Sequence, residues 1–414
     1  MIINEVKTVT QQLIAQIMGH DYMEQHGYLE AIPADKLVDV GKDLLDMDVN
    51  VEKYTKALSV LLARREYDEG NFNPLYKAIF VTREEWGGFI ERVKFDYADV
   101  MEDPAVRLED GKSYADIEHT FYQPKVRSKI YEEAKDIMIP ISIQRVMLTE
   151  AFTSYDAMSQ FISRIQAKVR MTLEKCLDRY AAVLVMAAGA VSVKGINTAV
   201  YLLDEAQAAG VPGITAETTA EQALQNDEFL IFFAERIAEI RDNMKMDTNV
   251  YNNGTWEVGS TDTLLYLLTK YTRTLKFKVA RGTYHREDIG FGDYESIPAW
   301  QAVRGTENGE GFTWETSSTI DFAADSENKL GLGTGEIKIP NVAGILFDRK
   351  AVGISIWKEY TTSSYTACAD FWNEFIHSVT GQILDSDYPI VAFIIGRRAE
   401  TQALLNAKLA KVSK

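Results

Sequence analysis

Hydrophobic positions recur along this chain with two different periods. Val6, Val9, Leu13, Ile14 and Ile17 fall on one helical stripe that Gly19 can end. Leu37, Val38, Leu44 and Leu45 follow Pro33, with Asp35 as N-cap, and predict a second helix; Tyr54, Ala57, Leu58, Leu61 and Leu62 predict a third. Thr82 and Glu85 have capping-box spacing ahead of Trp86, Phe89, Ile90 and Val93. The period then shortens. Val93, Phe95 and Tyr97 alternate with Lys94, Asp96 and Ala98, and Asp110-Gly111 stands between Val106/Leu108 and Tyr114 as a hairpin signal. Val126, Ser128 and Ile130 alternate with Lys125, Arg127 and Lys129, and Ile139, Ile141 and Ile143 alternate around Pro140. Residues 92–145 are therefore expected to be a long, polar, mostly extended excursion. A two-stranded ribbon is marginal by itself, so it has to lie on something.

A long helix follows. Tyr155, Met158, Phe161, Ile162, Ile165, Val169, Cys176, Leu177, Tyr180, Val183 and Leu184 are spaced almost entirely by three or four, behind a Thr153/Asp156 capping pair. The helix is predicted from Thr153 to about Ala188, on the order of 50 Å at 1.5 Å per residue, with Gly189 as its breaker. Beyond it, residues 190–345 mix periods. Thr219 and Gln222 are expected to cap a helix carrying Leu224, Leu230, Ile231, Ile237 and Ile240. Another helix is expected near Thr263–Thr274, and Gly282–Gly335 reads as loops. Strands return at Ile337–Ile339, Val342–Phe347, Val352–Trp357, Phe371–Val379 and Ile390–Ile395, separated by the turn-like Asp348-Arg349-Lys350 and Asp385-Ser386-Asp387.

Charge narrows the function classes. The 414 residues carry 61 Asp+Glu against 44 Lys+Arg, a net charge of −17, which disfavours a broad nucleic-acid-gripping face. Between Glu5 and Glu52 ten acidic residues face three basic ones. Two cysteines, Cys176 and Cys368, make neither a disulfide framework nor a four-cysteine zinc site. No signal peptide is expected, and the longest apolar runs fall short of the ~20 residues that span a bilayer.

Catalytic constellations fail one by one. Gly331-Leu332-Gly333-Thr334-Gly335 lacks the Lys-Ser/Thr ending of a phosphate loop and reads as a flexible loop. Asp46, Asp48 and Asn50 imitate a calcium loop, but Val51 replaces its glycine and Ala57 its glutamate. The histidines His20, His26, His119, His285 and His377 are scattered, and Cys176 sits on an apolar stripe. The densest basic cluster, Lys270, Arg273, Lys276 and Lys278, reads as a helix end dressed with cations. The tail from Arg397 to Lys414, with five Lys/Arg and one acidic residue, is the better candidate for touching a polyanion, although an exposed, flexible end is the favoured reading. No catalytic, cofactor or metal site is expected.

Three stretches carry a family likeness. They are Glu102-Asp103-Pro104-Ala105-Val106-Arg107-Leu108 running into Asp110-Gly111; Gln123-Pro124-Lys125-Val126 through Thr149-Glu150-Ala151-Phe152, feeding the helix with Phe161-Ile162-Ser163; and Gly344-Ile345-Leu346-Phe347-Asp348-Arg349-Lys350-Ala351-Val352, followed by Phe371-Trp372-Asn373 and Ile390–Ile395. Their order resembles the tailed-bacteriophage major capsid (major head) protein family, with its HK-ninety-seven-like fold, most closely of the small-podovirus type.

The resemblance implies an α+β chain. Its parts would be an N-terminal helical arm (1–80), an E-loop hairpin with the start of a peripheral domain (81–145), a spine helix (146–189), an axial α/β domain (190–345), closing peripheral strands (346–396) and a basic tail (397–414). It further implies a non-enzymatic shell subunit without cofactors, forming pentamers and hexamers around double-stranded DNA. Partners would be the chain itself, scaffolding and portal proteins, and the genome without sequence-specific contacts, with no membrane; the location would be the virion, after assembly in the host cytoplasm. An acidic wall would limit sticking of DNA during filling. Asp110, Gly111, Lys125, Arg127 and Lys129 are the candidate inter-subunit contacts, the three cations meeting acidic residues of a neighbour. The alternatives are an encapsulin-like compartment shell on the same fold, a soluble enzyme with a site assembled from distant residues, and a tail-tube or other virion part.

Overall fold

The computed structural model describes residues 40, 75–80, 90–95, 117, 119, 126–131, 134–147, 155–194, 198–282, 293–300, 302–304, 312–314, 320–324, 335–366 and 368–403. Strands β1 (Ile90–Phe95) and β2 (Val126–Tyr131) pair antiparallel, Ile90 opposite Tyr131 and Phe95 opposite Val126. β3 (Ala134–Gln144) precedes the long helix α1 (Tyr155–Lys194). Next come β4 (Ala199–Tyr201), α2 (Leu202–Ala208), α3 (Ala220–Ala223), α4 (Asp227–Asn243), β5 (Thr263–Leu268) and α5 (Thr269–Gly282). Short strands β6 (Glu295–Ile297), β7 (Ala302–Arg304), β8 (Phe312–Trp314), β9 (Ile320–Ala324) and β10 (Gly335–Ile339) lead to β11 (Val342–Asp348), β12 (Val352–Thr366), β13 (Phe371–Leu384) and β14 (Ile390–Ile394). The residues of the three predicted N-terminal stripes, and the Asp110-Gly111 turn, lie outside the described residues; Val40, within the second predicted helix, is described and is buried in a helix.

Two larger sheets form. β12, β13 and β3 make an antiparallel three-stranded sheet, and β4-β14-β11-β5-β6 a five-stranded one in which β14/β4 and β5/β6 are parallel. β3, read from sequence as part of the extended excursion, pairs along its whole length with β13, Gln144 opposite Phe371 and Ala134 opposite Gly381. On β13 the alternate residues Trp372, Glu374, Ile376, Ser378 and Thr380 are buried and the residues between them only half so, the period-2 signature of a sheet with one covered face.

Helix α1 supplies the cover. Val169, Leu173, Leu177, Ala181, Leu184, Val185 and Ala188 are buried at steps of three and four, and from Leu184 to Ala190 every residue is buried. At 40 residues the helix is on the order of 60 Å long. It passes through Gly189, the predicted breaker, without interruption. The glycine serves close approach: a Cβ there would stand 2.8 Å from Ile345 Cδ1 and 3.1 Å from Ile320 Cδ1. The helix end is tied to the five-stranded sheet by Ser192, whose hydroxyl accepts from Ala392 N at 2.9 Å. The stretch Ala167–Lys194 is long and apolar enough to cross a membrane by composition, but 67% of that window is buried in the fold, as a core helix requires.

Three further expectations change. The Thr219/Gln222 capping box forms, but closes only the four-residue α3. Asn226 starts α4 afresh, its side-chain oxygen accepting from Glu228 N and Phe229 N, so Leu230, Ile237 and Ile240 are buried on α4 while Ile231 is exposed. Replacing Asn226 by alanine should cost about 1 kcal/mol in urea denaturation, more than Thr219→Ala; equal losses would contradict Asn226 as the dominant cap. The apolar run 263–268 is strand β5, flanked on both sides in its sheet, and the helix begins only at Thr269. A fully buried strand reads as a continuous apolar run and cannot be told from a buried helix by periodicity. The region read as loops contains β6 to β9, short strands whose three- and five-residue patterns carry little signal.

Candidate assembly surfaces and the ribbon anchor

Alternation on β1 and β2 sorts charge from oil. Arg92 and Lys94 lie opposite Lys129 and Arg127, so four cations share one face of the ribbon. The other face carries Val93, Phe95, Val126 and Ile130, all exposed, Phe95 by 66%. Four like charges on adjacent strands repel unless something compensates them.

The compensation comes from the turn between β13 and β14. Lys94, 5% exposed, places Nζ 2.7 Å from Asp385 Oδ2 and 2.8 Å from Asp387 Oδ2. Lys129 Nζ lies 3.2 Å from Asp385 Oδ1 and 3.7 Å from Asp387 Oδ1, and Arg92 stands 3.6 Å from Asp385 while donating to the Lys350 carbonyl. Arg127 donates to the Thr255 carbonyl at 2.6 Å. Lys94 also sits 4.6 Å from the Tyr388 ring centroid and 5.6 Å from that of Trp256, both attractive to a desolvated cation.

The carboxylates are themselves held. Asp385 N donates to Ala351 O at 2.7 Å, and Asp387 N to Asp385 Oδ1 at 3.2 Å. Trp256 Nε1 and the buried Asn252 Nδ2 each donate to Asp387 O at 2.8 Å. Burial alone would raise the Asp385 carboxyl, but the hydrogen bond from Lys94, with Tyr131 and the Lys129 charge, outweighs it and holds the group below its ordinary value. The Tyr131 phenol moves the other way, pushed up by burial and next by the Asp385 charge. A second tether precedes the ribbon: Tyr76 N donates to Asp178 Oδ1 of α1 at 3.0 Å, and Phe80 bridges to Ile354 of β12. Burial raises the Asp178 carboxyl, opposed by the backbone N–H groups of Tyr76 and Leu75.

The predicted contact residues thus separate. Lys129 finds its carboxylates, and Arg127 a carbonyl, within the chain itself; Asp110, Gly111 and Lys125 lie outside the described residues. Sequence reading took Asp385-Ser386-Asp387 only as a turn. The signal available was two carboxylates two apart in a strand-ending segment, which by itself names no partner. Arg397, read as the start of a flexible tail, is anchored by Asp204 at 2.9 Å, and Thr401 behind it is buried; residues 404–414 are not described.

Apolar exposure also marks the three-stranded sheet. On the face away from its covered residues, Met138, His377 and Tyr360 are in register across three strands, with Met138 and Tyr360 exposed. His377 stacks on Tyr360 at 4.6 Å, and its Nε2 lies 3.1 Å from Thr362 Oγ1. Nothing resembling catalytic machinery assembles among the described residues. Among the described residues no group of three His, Cys, Asp or Glu side chains could hold a metal ion, and Cys176 and Cys368 are both free thiols. A cavity of about 380 Å³ beside β4 is lined by Tyr201, Asp204, Glu205, Arg236 and Arg398. Its charges are largely spent on each other, Arg236 meeting Glu205 at 2.7 Å and Asp204 meeting Arg397.

Comparison with known proteins identifies the family. No curated protein matches the chain. Among solved structures it is similar to the "Capsid structure of Staphylococcus phage Andhra", at 12% identity and a TM-score of 0.49 over 80% of this chain and 89% of that one. It is also similar to the "Capsid structure of the Cyanophage P-SCSP1u", at 12% identity and a TM-score of 0.43 over 80% and 91%. At such identities and scores these likenesses carry no weight of their own. The family model described as "Phi29-like phage major capsid protein" matches residues 12–394, a span that takes in the ribbon, α1, both larger sheets and the Asp385/Asp387 turn. On that match, which runs through nearly the whole sequence, the chain belongs to the Phi29-like phage major capsid protein family.

Proposed function

We propose that this chain is the repeating subunit of an icosahedral phage head, assembling with copies of itself into pentamers and hexamers that enclose a double-stranded DNA genome. Within a capsid family, one geometric observation carries the reading: a two-stranded ribbon is rooted by a buried charge cluster yet presents Val93, Phe95, Val126 and Ile130 outward. An isolated ribbon gains little from its own strand pairing, and an exposed apolar face gains from burial against a neighbour. Rings of five and six copies use head-to-tail contacts that close, and such contacts would cover this face.

On this reading, the E-loop of an HK-ninety-seven-like fold lies within residues 81–145. Asp110, Gly111 and Lys125 are its candidate contacts with a neighbouring subunit, whereas Arg127 and Lys129 act chiefly in rooting it. The subunit's role is structural rather than enzymatic, its place is the virion after assembly in the host cytoplasm, and scaffolding and portal proteins are its expected assembly partners.

Negative-stain electron microscopy of the purified full-length protein, alone and co-expressed with the genes beside it, tests this. Closed shells or rings of five and six are expected. DNA-filled shells distinguish a virus head from a cargo compartment. A small oligomer that never assembles under either condition would overturn the proposal.

A further inference from the structure

Helix α5 is out of keeping with the rest of this acidic molecule. Its fourteen residues, Thr-Lys-Tyr-Thr-Arg-Thr-Leu-Lys-Phe-Lys-Val-Ala-Arg-Gly, contain five Lys/Arg and no Asp or Glu. A helix face that is merely solvated, in a chain of net charge −17, should be mixed in sign and laced by pairs three or four residues apart. The adjoining helix α4 follows that rule, with Arg236 meeting Glu239 at 2.8 Å, and just beyond its end Lys245 meets Asp242 at 2.6 Å. On α5, Tyr271, Thr272 and Leu275 are buried toward the fold while Lys270, Arg273 and Lys276 are exposed. None of these three cations forms an ion pair with a described residue. Their neighbours are rings: Lys270 Nζ lies 5.8 Å from the Tyr271 centroid and Lys276 Nζ 5.3 Å from that of Tyr294, contacts that steady the side chains without neutralising them.

The helix dipole does not account for the set. Cations in the last turn are favoured by it, but Lys270 is in the first turn, where a positive charge is opposed. The three described cations recur every third residue, about 4.5 Å apart along the axis. Among the residues of α5 whose side chains are described, Thr269–Lys276, the exposed row is completed by Thr274, half-buried, and holds no large apolar anchor of the kind a protein interface places at its centre. A repeating row of charge without an apolar centre suits a repeating polyanion.

We propose that the outer face of α5, through Lys270, Arg273 and Lys276, contacts the phosphate backbone of duplex DNA without reading its sequence. The proposal rests on the enclosed genome of the function given above. It makes the wall mostly repulsive with one discrete cationic contact per subunit, so that DNA is ordered near the wall without adhering broadly to it.

The test is binding of a fluorescent 30-base-pair duplex of mixed sequence to the full-length subunit across a salt series. Each phosphate contact contributes about 0.9 to the slope of log affinity against log salt, so Lys270→Gln/Arg273→Gln/Lys276→Gln should lower the slope by about 2.7. Equivalently, the native protein should lose about 40-fold more affinity than the variant between about 50 and 200 mM salt. Arg273→Gln alone should remove about a third of the effect, which serves if the triple variant folds poorly by circular dichroism. A control with equal charge loss on exposed lysines elsewhere, Lys168→Gln/Lys175→Gln/Lys358→Gln, should leave the slope within about half a unit of the native one. An unchanged slope in the α5 variants, or an equal fall in the control, overturns the proposal. So does a peptide spanning Glu5–Glu52 that outcompetes the duplex for the same three residues, since that would assign the face to an acidic segment of another copy. Shells formed normally by the native protein alongside an unchanged slope would sink the DNA contact and leave the capsid reading standing. Failure of the native protein to form shells would sink the capsid reading whatever the duplex does.

Discussion

Asp385→Ala should destabilise the full-length subunit by about 3 kcal/mol in urea denaturation, because it strips a buried Lys94 of its nearest carboxylate. Arg92 and Lys129 lose the same partner, leaving Lys94 and Lys129 on Asp387 and Arg92 on the Lys350 carbonyl. The comparison that makes this informative is Lys129→Ala. The Lys129 side chain is 40% exposed, its charge is screened by water, and its loss should cost under about 1 kcal/mol. If the two substitutions cost the same, the buried pair is not what roots the ribbon.

The same site fixes the sign of an acid response. Asp385 titrates below its ordinary value in the fold, so it contributes stability that is present above the unfolded carboxylate pKa of about 4. That contribution is lost as pH falls through the lower, folded value. The anchor should therefore be intact at pH 5, and the native subunit should lose stability more steeply than Asp385→Ala only in more acid solution. Parallel pH profiles for the two would contradict this. Asp178 has the opposite sign: its carboxyl is raised, so ionising it works against the fold, and its share of stability is full below the ordinary carboxylate value and is lost as pH rises through the higher, folded one.

Gly381→Ala should also cost about 3 kcal/mol, through overpacking rather than charge. A Cβ at this position would lie 2.1 Å from Trp357 Cε2 and 2.2 Å from Cζ2, well inside contact distance. Trp357 is buried, its Nε1 donates to Ser355 Oγ at 2.8 Å, and it sits where the β12/β13 register slips between Ile356 and Lys358. A rigid indole cannot fold away as a flexible side chain would, so it must leave its site and its hydrogen bond. Trimming the ring should relieve the clash. Trp357→Leu is expected to be damaging by itself but to make Gly381→Ala nearly neutral when the two are combined, a coupling measurable in a double-mutant cycle. Additive losses would show that the ring is not what Gly381 accommodates.

Most of the regular structure was legible because its signals are local. The spacing of Val169, Leu177 and Leu184 names a helix whatever surrounds it, and the alternation of Val126, Ser128 and Ile130 names a strand. Misreadings fell where burial erases contrast. Thr263–Leu268 has no polar face because its strand is covered on both sides, and Gly189 looked like a stop although it is a point of contact with Ile345 and Ile320. β12 was seen only to Trp357. Its outer half, Lys358–Thr366, is polar, and it is held as strand by pairing with β13, a partner that no local pattern announces.

By itself the sequence determined the alternation of helix and strand periods, the −17 charge, the absence of a recognisable catalytic motif, and an order of parts resembling a capsid subunit. Only the tertiary structure decided which charges meet. Lys94 and Asp385 are 291 residues apart, and each separately is one more ion among many. Their interaction becomes strong only when folding removes both from water, and that depends on three-dimensional neighbours rather than on spacing. The contrast between α4 and α5 has the same origin. That α5 has no acidic residue is plain in the sequence, but only the fold shows Arg236 of α4 paired with Glu205 and Glu239 while Lys270, Arg273 and Lys276 of α5 are exposed without an ion pair to a described residue.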